Sequence, residues 1–285
     1  MPADPNPTVR RRRLGSELRR LREAAGLSLE DVGEHMECHK ATISRLELGR
    51  SGARPRDLRE ILALYGVTDA DTVAAYLEMS RNGRRPGWWQ AFEDTLPSAY
   101  NDFIALEAEA NYIRAFQPIL VPGLLQTAGY ARAVTRANPA IIGEDLLDQL
   151  VKVRSERQAL LDRDNPTRFW GIIGEAALRT PVGGPEVMAA QLDHLIDLSM
   201  RPNVALQVLP FAAGEHAGLS GPFLLMNFPL PRASQVVFLE NLTSSLYLEK
   251  PEEIVGYTMA FDALRSSALE PKESIATIEA IRNDL

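Results

Sequence analysis

Between Leu27 and Arg54 the apolar positions keep a helical spacing twice and lose it once in between. Leu29, Val32 and Met36 fall at i, i+3 and i+7, one inward stripe of a helix. Ser28 precedes them as a helix-start residue, and Glu30 and Asp31 follow where carboxylates suit the positive end of a helix. Glu37-Cys38-His39 interrupts the pattern; Ile43 and Leu46 then resume it, with Lys40, Ala41, Ser44 and Arg45 outward. Gly33 stands mid-helix, where glycine costs about 1 kcal/mol against alanine, so a close crossing that no larger side chain permits is expected there. Two helices joined in this way form a helix-turn-helix, whose second helix inserts its first turns into the DNA major groove. A generic amphipathic helical hairpin is the bland alternative.

The periodicity continues in a fifth helix, Asp69 to Met79, with Val73, Tyr76 and Leu77 on one face. It then stops at Arg81-Asn82-Gly83-Arg84-Arg85-Pro86-Gly87, which reads as a linker and marks a domain boundary. Beyond it the spacing predicts helices over Asn101 to Phe116, Leu124 to Thr135 and Gly143 to Asp162, a β-prone run at Arg168 to Ile173, and helices at Glu175 to Arg179 and Pro185 to Ser199. Strands are predicted at Val204 to Leu209, Phe223 to Phe228, Val236 to Leu239 and Leu246 to Leu248, with two closing helices, Pro251 to Ser267 and Lys272 to Asp284. Helices first and a cluster of strands afterwards indicate α+β rather than a doubly wound sheet.

Composition sharpens this picture. A chain of 285 residues, 45% hydrophobic and 24% charged, is long enough for two globular domains. No apolar run approaches the roughly 20 residues that span a bilayer, and the basic N-terminus lacks the apolar stretch of a secretory signal. One cysteine, Cys38, excludes an internal disulfide framework and suits a reducing cytoplasm; it is either a small packing residue of the turn or an oxidant sensor. The net charge of −7 is unevenly spread: residues 1–65 hold 13 Lys/Arg against 10 Asp/Glu, and the remainder 18 against 28. A weakly basic head on an acidic body keeps DNA contact local to the head, because phosphate attraction fades within a Debye length of roughly 8 Å. Arg10, Arg11, Arg12 and Arg13 form a basic arm over residues 1–13, either a solvated tail or a strand of phosphate and minor-groove contacts.

The run Ala41-Thr42-Ile43-Ser44-Arg45-Leu46-Glu47-x-Gly49-Arg50 resembles the signature of the phage-repressor (XRE-type) DNA-binding domain. The stretch from Leu14 to Gly26 resembles that domain's first helix, and Arg54 to Val67 its fourth. The resemblance implies an all-α, five-helix, lambda-repressor-like domain over residues 14–80. It implies a buried structural ion pair between Arg22 and Glu47. His39, Lys40, Ala41 and Arg45 take the base-reading positions, and Ser28, Arg50, Arg54 and Arg56 the phosphate-contacting ones. Lys40 and Arg45 can donate to guanine O6 and N7, and Ala41 can pack on a thymine methyl. His39 departs from the serine or threonine usual at its position. A head of this size buries only roughly 600–1,000 Å² on DNA, so a homodimer on a two-fold related site is expected.

The second part carries Val121-Pro122-Gly123-Leu124-Leu125-Gln126-Thr127, Tyr130-Ala131-Arg132, Arg154, Arg157-Gln158, Glu175-Ala176-Ala177-Leu178, Gln191-Leu192 and Gln207-Val208-Leu209-Pro210-Phe211. In that order they resemble the C-terminal domain of WhiJ-like actinobacterial regulators. That likeness implies a transcription factor, antitoxin-like in some members, acting with a small protein encoded by a neighbouring gene. By its residues, the VPGLLQT stretch is a turn into a helix: a packed junction, or a surface for a ligand or partner that includes Arg132. Arg154 and Arg157, three apart, either clamp an anion or pair with Glu156, Asp162 or an acidic helix elsewhere. The glycine-flanked Glu215-His216 loop is a further candidate ligand surface, as is a pocket lined by Trp88, Trp89 or Trp170. His194 and His216 are the only histidines here, and no HExxH, GxSxG, GxxxxGK[ST] or CxxC pattern occurs. The expectation is therefore a cytoplasmic, non-enzymatic regulator of double-stranded DNA with no membrane association, cofactor or metal. Its larger α+β domain, residues 88–285, would dimerise and receive a protein or small-molecule signal. The alternative is an antitoxin-like protein whose main task is to hold a small partner.

Overall fold

The computed structural model describes residues 9–82, 96, 98–139, 141–229, 235–242 and 244–285. The chain divides into two compact units, the first holding the described residues 9–82 and 229 and the second those of 96–228 and 235–285. In the first, the apolar spacing resolves into five helices: α1 (Val9–Ala24), α2 (Leu29–His35), α3 (Lys40–Glu47), α4 (Pro55–Leu64) and α5 (Ala70–Asn82). Leu18, Val32, Leu58 and Leu62 are fully buried, with Ile43, Leu46, Ile61 and Tyr76 around them. Pro55 opens α4, where a missing N–H is harmless.

Helix α1 begins at Val9 rather than Leu14, so Arg10 to Arg13 belong to the helix and not to a preceding arm. The cause is a close approach. A Cβ on Gly49 would lie 2.7 Å from the Arg12 backbone nitrogen, so the loop after α3 seats on the first turns of α1 and holds them helical. A Cβ on Gly15 would lie 2.3 Å from the Glu47 carbonyl oxygen, which puts α1 in backbone contact with the end of α3. At the same crossing Arg22 Nε and Nη2 donate to the two Glu47 carboxylate oxygens at 2.7 and 3.0 Å, and Nη1 donates to the Leu27 carbonyl at 2.8 Å. Both side chains are buried, and the Glu47 hydrogen bond raises the Arg22 pKa further. Burial, with the Glu47 charge adding, also pushes the Tyr65 phenol up.

The second unit is built on a six-stranded sheet in the order β3-β2-β1-β4-β5-β6. Its elements run α6 (Ser98–Glu109), β1 (Tyr112–Gln117), α7 (Ala128–Arg136), α8 (Glu144–Arg157), β2 (Arg168–Gly174), α9 (Glu175–Arg179), α10 (Pro185–Ser199), β3 (Val204–Leu209), β4 (Phe223–Asn227), β5 (Gln235–Glu240), β6 (Ser245–Leu248), α11 (Pro251–Ser267) and α12 (Pro271–Asn283). Strands β1, β2 and β3 pair in parallel, joined by helical crossovers; β4, β5 and β6 pair antiparallel. The protein is thus an N-terminal helical region followed by a larger α+β domain.

Three predicted elements differ. The helix over Asn101 to Phe116 is instead α6 followed by β1. Because β1 is central and buried on both faces, its run YIRAFQ gives no regular apolar–polar alternation, and Ile113 merely prolonged the helical spacing. The helix from Leu124 splits into a 3₁₀ turn, Gly123–Leu125, and α7, which Thr127 caps by accepting from the Tyr130 N–H at 3.3 Å. The helix to Asp162 ends at Arg157 and tightens into a 3₁₀ turn, Gln158–Leu161. Arg81 and Asn82 extend α5; the rest of the expected linker, 83–87, lies outside the described residues, as do Trp88 and Trp89.

Removing one partner of a buried ion pair leaves an uncompensated charge, worth about 3–5 kcal/mol. Arg22→Ala should therefore lower the unfolding free energy by that amount in urea titrations, whereas Arg19→Ala, whose exposed pair with Glu23 faces solvent, should change little. On α10, His194 is half-buried and its Nε2 finds no hydrogen-bond partner among the described residues. Burial holds this imidazole below its ordinary value, with Arg201 adding and Asp197 opposing. The unfolded chain consequently takes the proton first, and stability falls as pH drops below about 6.5. His194→Leu should flatten that loss, read as unfolding free energy from about pH 7.5 to 5.

Candidate nucleic-acid interface

Helix α2 starts on a capping box. Ser28 Oγ accepts from the Asp31 N–H at 3.1 Å, and Asp31 Oδ2 accepts from the Ser28 N–H at 2.7 Å. These bonds hold the Asp31 carboxyl below its usual range. The turn that follows places Glu37 at φ 50°, a left-handed conformation uncommon outside glycine, and the Cys38 N–H donates to the Gly33 carbonyl at 2.8 Å. A Cβ on Gly33 would stand 2.8 Å from the Cys38 carbonyl oxygen and 3.2 Å from the Lys40 nitrogen, so the turn can fold back only over glycine. Cys38 is a half-buried free thiol packed against the core.

Helix α3 therefore emerges with a fixed outer face. Ile43 and Leu46 point into the core, while His39, Lys40, Ala41, Thr42 and Arg45 are exposed. His39 is the N-cap by backbone geometry but makes no side-chain capping bond, which leaves its imidazole unengaged by the helix. Lys40 Nζ donates to the Glu30 carboxylate, a bond that lowers the Glu30 pKa and raises that of Lys40. Glu30 is thus a neighbour of the expected base-reading residues that spacing did not reveal, since a separation of ten residues across a turn carries no periodic signal.

The expected phosphate-contacting residues fall around the same region. Ser28 begins α2, Arg54 is the N-cap of α4 and Arg56 lies in its first turn; all three are exposed, as is Arg50 in the loop closed by its own N–H donating to the Arg45 carbonyl at 2.8 Å. The basic run behaves differently: Arg11 is exposed, Arg12 partly covered and Arg13 buried, because α1 continues through them and turns one side of each turn toward the core. Arg13 is therefore not a surface contact. The side chain of Arg10 lies outside the described residues.

In the second unit the structure separates the predicted surface residues. Arg157 is buried: Nε and Nη2 donate to the Glu107 carboxylate at 2.6 and 2.7 Å, Nη1 donates to the Tyr100 hydroxyl at 2.9 Å, and the guanidinium lies 4.8 Å from the Phe103 ring centroid. It is a core ion pair and not part of a docking surface. Glu107 carried one signal, a carboxylate set on the apolar stripe of Phe103 and Ile104. Arg154 donates to Gln126 Oε1 at 2.9 Å, while Arg132 sits in a solvent-facing network with Glu144 at 2.9 Å and with Asp148. Gln126 also donates to the Val121 carbonyl at 2.6 Å. Gln191 donates to the Leu125 carbonyl and accepts from the Thr127 N–H, both at 2.7 Å, and Gln158 donates to the Gln126 carbonyl. The VPGLLQT stretch is consequently an interlocked junction.

Nor does the Glu215-His216 loop stand open. His216 Nδ1 accepts from the Gly218 N–H at 3.1 Å, its ring meets Phe116 edge-on at 5.8 Å, and a Cβ on Gly218 would lie 2.1 Å from Phe116. Glu215 is exposed, and among the described residues no hydrogen bond or ion pair joins this loop to Arg132, Arg154 or Arg157. Trp170 Nε1 donates to Gln207 Oε1 at 2.9 Å. Among the described residues, no group of His, Cys, Asp and Glu could hold a metal ion, and no helix is long and apolar enough to cross a membrane.

Comparison with known families agrees with this division. A Helix-turn-helix domain model matches residues 13–75, the region of α1 to α5, which makes the first unit a DNA-binding region of the kind found in regulators. No curated protein and no solved structure matches the chain. A second family model matches residues 100–280, more than half of the sequence, and by that match the chain belongs to the family described as Domain of unknown function (DUF5753).

Proposed function

We propose that this protein is a sequence-specific transcriptional regulator of the XRE type, allied to the WhiJ-like group, that binds an inverted-repeat operator as a homodimer. Its DNA-binding part ends with α5, and the part from residue 88 onward dimerises and receives a signal without catalysing a reaction. The observation that carries the reading is the combination at α3. Its inner face is held by the Gly15 contact and the Arg22–Glu47 pair, while Lys40, Ala41 and Arg45 stand exposed on its outer face. A helix held at its far end and free at its first turns suits major-groove reading. Arg45 and Lys40 donate to guanine edges, Ala41 meets a thymine methyl, and His39 reaches a base edge or phosphate. Ser28, Arg50, Arg54, Arg56 and Arg11 fix the register on phosphates.

Genome-wide occupancy of the tagged protein tests the reading, with the Lys40→Ala/Arg45→Ala double variant as control. Discrete peaks that share an inverted repeat and vanish in the variant are expected. An absence of peaks, with a small protein co-purifying, would replace this reading by the antitoxin-like one. On the operator so found, Arg45→Ala should weaken specific binding by about 1–3 kcal/mol without changing the fold; unchanged affinity removes Arg45 from the base-reading set. Neutralising Arg50, Arg54 and Arg56 to Gln should instead lower affinity across all sequences. It should also flatten the log–log salt slope by about 2.7 per protomer if all three meet phosphates.

A further inference from the structure

On β1 the side chains of Tyr112, Arg114 and Phe116 alternate onto the sheet face covered by α11, and across the parallel pair Tyr112 stands opposite Arg168 and Arg114 opposite Trp170. Three guanidinium groups meet the aromatic rings of this layer. Arg114 lies 5.6 Å from the ring centroids of both Tyr112 and Phe261, Arg168 lies 4.9 Å from that of Tyr112, and Arg265 of α11 lies 5.2 Å from that of Trp170.

Arg114 is only 8% exposed, yet its Nε meets no acceptor among the described residues. Arg22 and Arg157 are just as buried, and each is met by a bidentate carboxylate. Burying a guanidinium without an anion is unfavourable, and ring faces offset only part of that penalty while leaving the N–H donors unused. Asp262, exposed on α11, is the carboxylate whose charge acts on both Arg114 and Tyr112, and Tyr112 also feels the charges of Arg114, Arg168 and Arg265. Burial lowers the Arg114 pKa, with Tyr112 and Asp262 opposing and Arg265 adding.

We propose that this layer is a binding site for a small oxyanion, a phosphate or a carboxylate group, with Arg114 as the buried anchor and Arg168 and Arg265 as outer clamps. The planar fork of a guanidinium matches both groups in two-point contact. Tyr112 and Trp170 would flank an apolar or planar remainder of the ligand. The inference stands on the second unit alone and is independent of what the helix-turn-helix binds.

Thermal unfolding of the full chain tests it, in sodium phosphate and in sodium citrate titrated against sodium chloride at constant ionic strength. A saturable rise in Tm with one of the two anions is expected, and which anion saturates identifies the phosphate or the carboxylate class. Arg114→Met should raise the Tm in chloride alone, because an uncompensated buried charge is removed, and should abolish the anion response. Arg168→Gln/Arg265→Gln, at more exposed positions, should keep the chloride Tm and weaken the anion response by about tenfold or more. No saturable rise with either anion, or a full response in the Arg168→Gln/Arg265→Gln variant, would overturn the proposal.

Discussion

Backbone contact between α1 and the end of α3 governs the first unit. Gly15 lets the Glu47 carbonyl approach where any side chain would intervene, and Gly49 does the same for the first turns of α1. Such proximity would be electrostatically idle were it not for the Arg22–Glu47 pair at the same crossing, which converts a steric allowance into a defined orientation. The exposed turn of α3 is therefore set by its packing on α1. The second unit uses the same device with different parts: Arg157 and Glu107 pin α8 to α6 through a buried bidentate pair braced by Tyr100 and Phe103.

Around that second pair the amides take over. Gln126, Gln158 and Gln191 each spend their side chains on backbone groups of the 121–127 segment. A loop between a central strand and a helix leaves several peptide groups buried without a ladder, and each must be paired. Glutamine, which donates and accepts from one planar group, meets that need without importing charge. The ordered string of residues that sets this domain apart in sequence is thus largely the signature of a junction. Glu175, which accepts from the Phe211 N–H at 2.9 Å, does similar work after β2.

Features written in local periodicity were legible beforehand: α2, the turn at Glu37 to His39, α3, and the small residue demanded at position 33. Strands flanked by turn residues, such as Val204–Leu209, were legible for the same reason. What escaped depends on partners distant in the chain. The α6–β1 boundary was hidden because a strand covered on both faces lacks the alternation that marks a half-buried one, and Ile113 falls in the helical register of α6. Four consecutive arginines look like a solvated tail until the contact with Gly49 makes them a helix and buries Arg13. Arg157 could be read as an anion clamp or as half of a pair, and only Glu107, fifty residues away, decides between them. Arg114 shows the converse: nothing in its strand distinguishes it from an exposed arginine, and its isolation becomes visible only once α11 lies above it.

The bond between Lys40 and Glu30 bears on ion release. A lysine that comes to a phosphate or a guanine from open solvent adds to the salt sensitivity of binding, because a condensed counterion leaves the nucleic acid. Lys40 already holds an anion of its own chain. Were Lys40 to meet DNA, it would first have to release Glu30, whose freed carboxylate would stand beside the phosphates and offset part of that gain. For a head that reads DNA through α3, this position would then add less to the strength of binding than an unpaired lysine would.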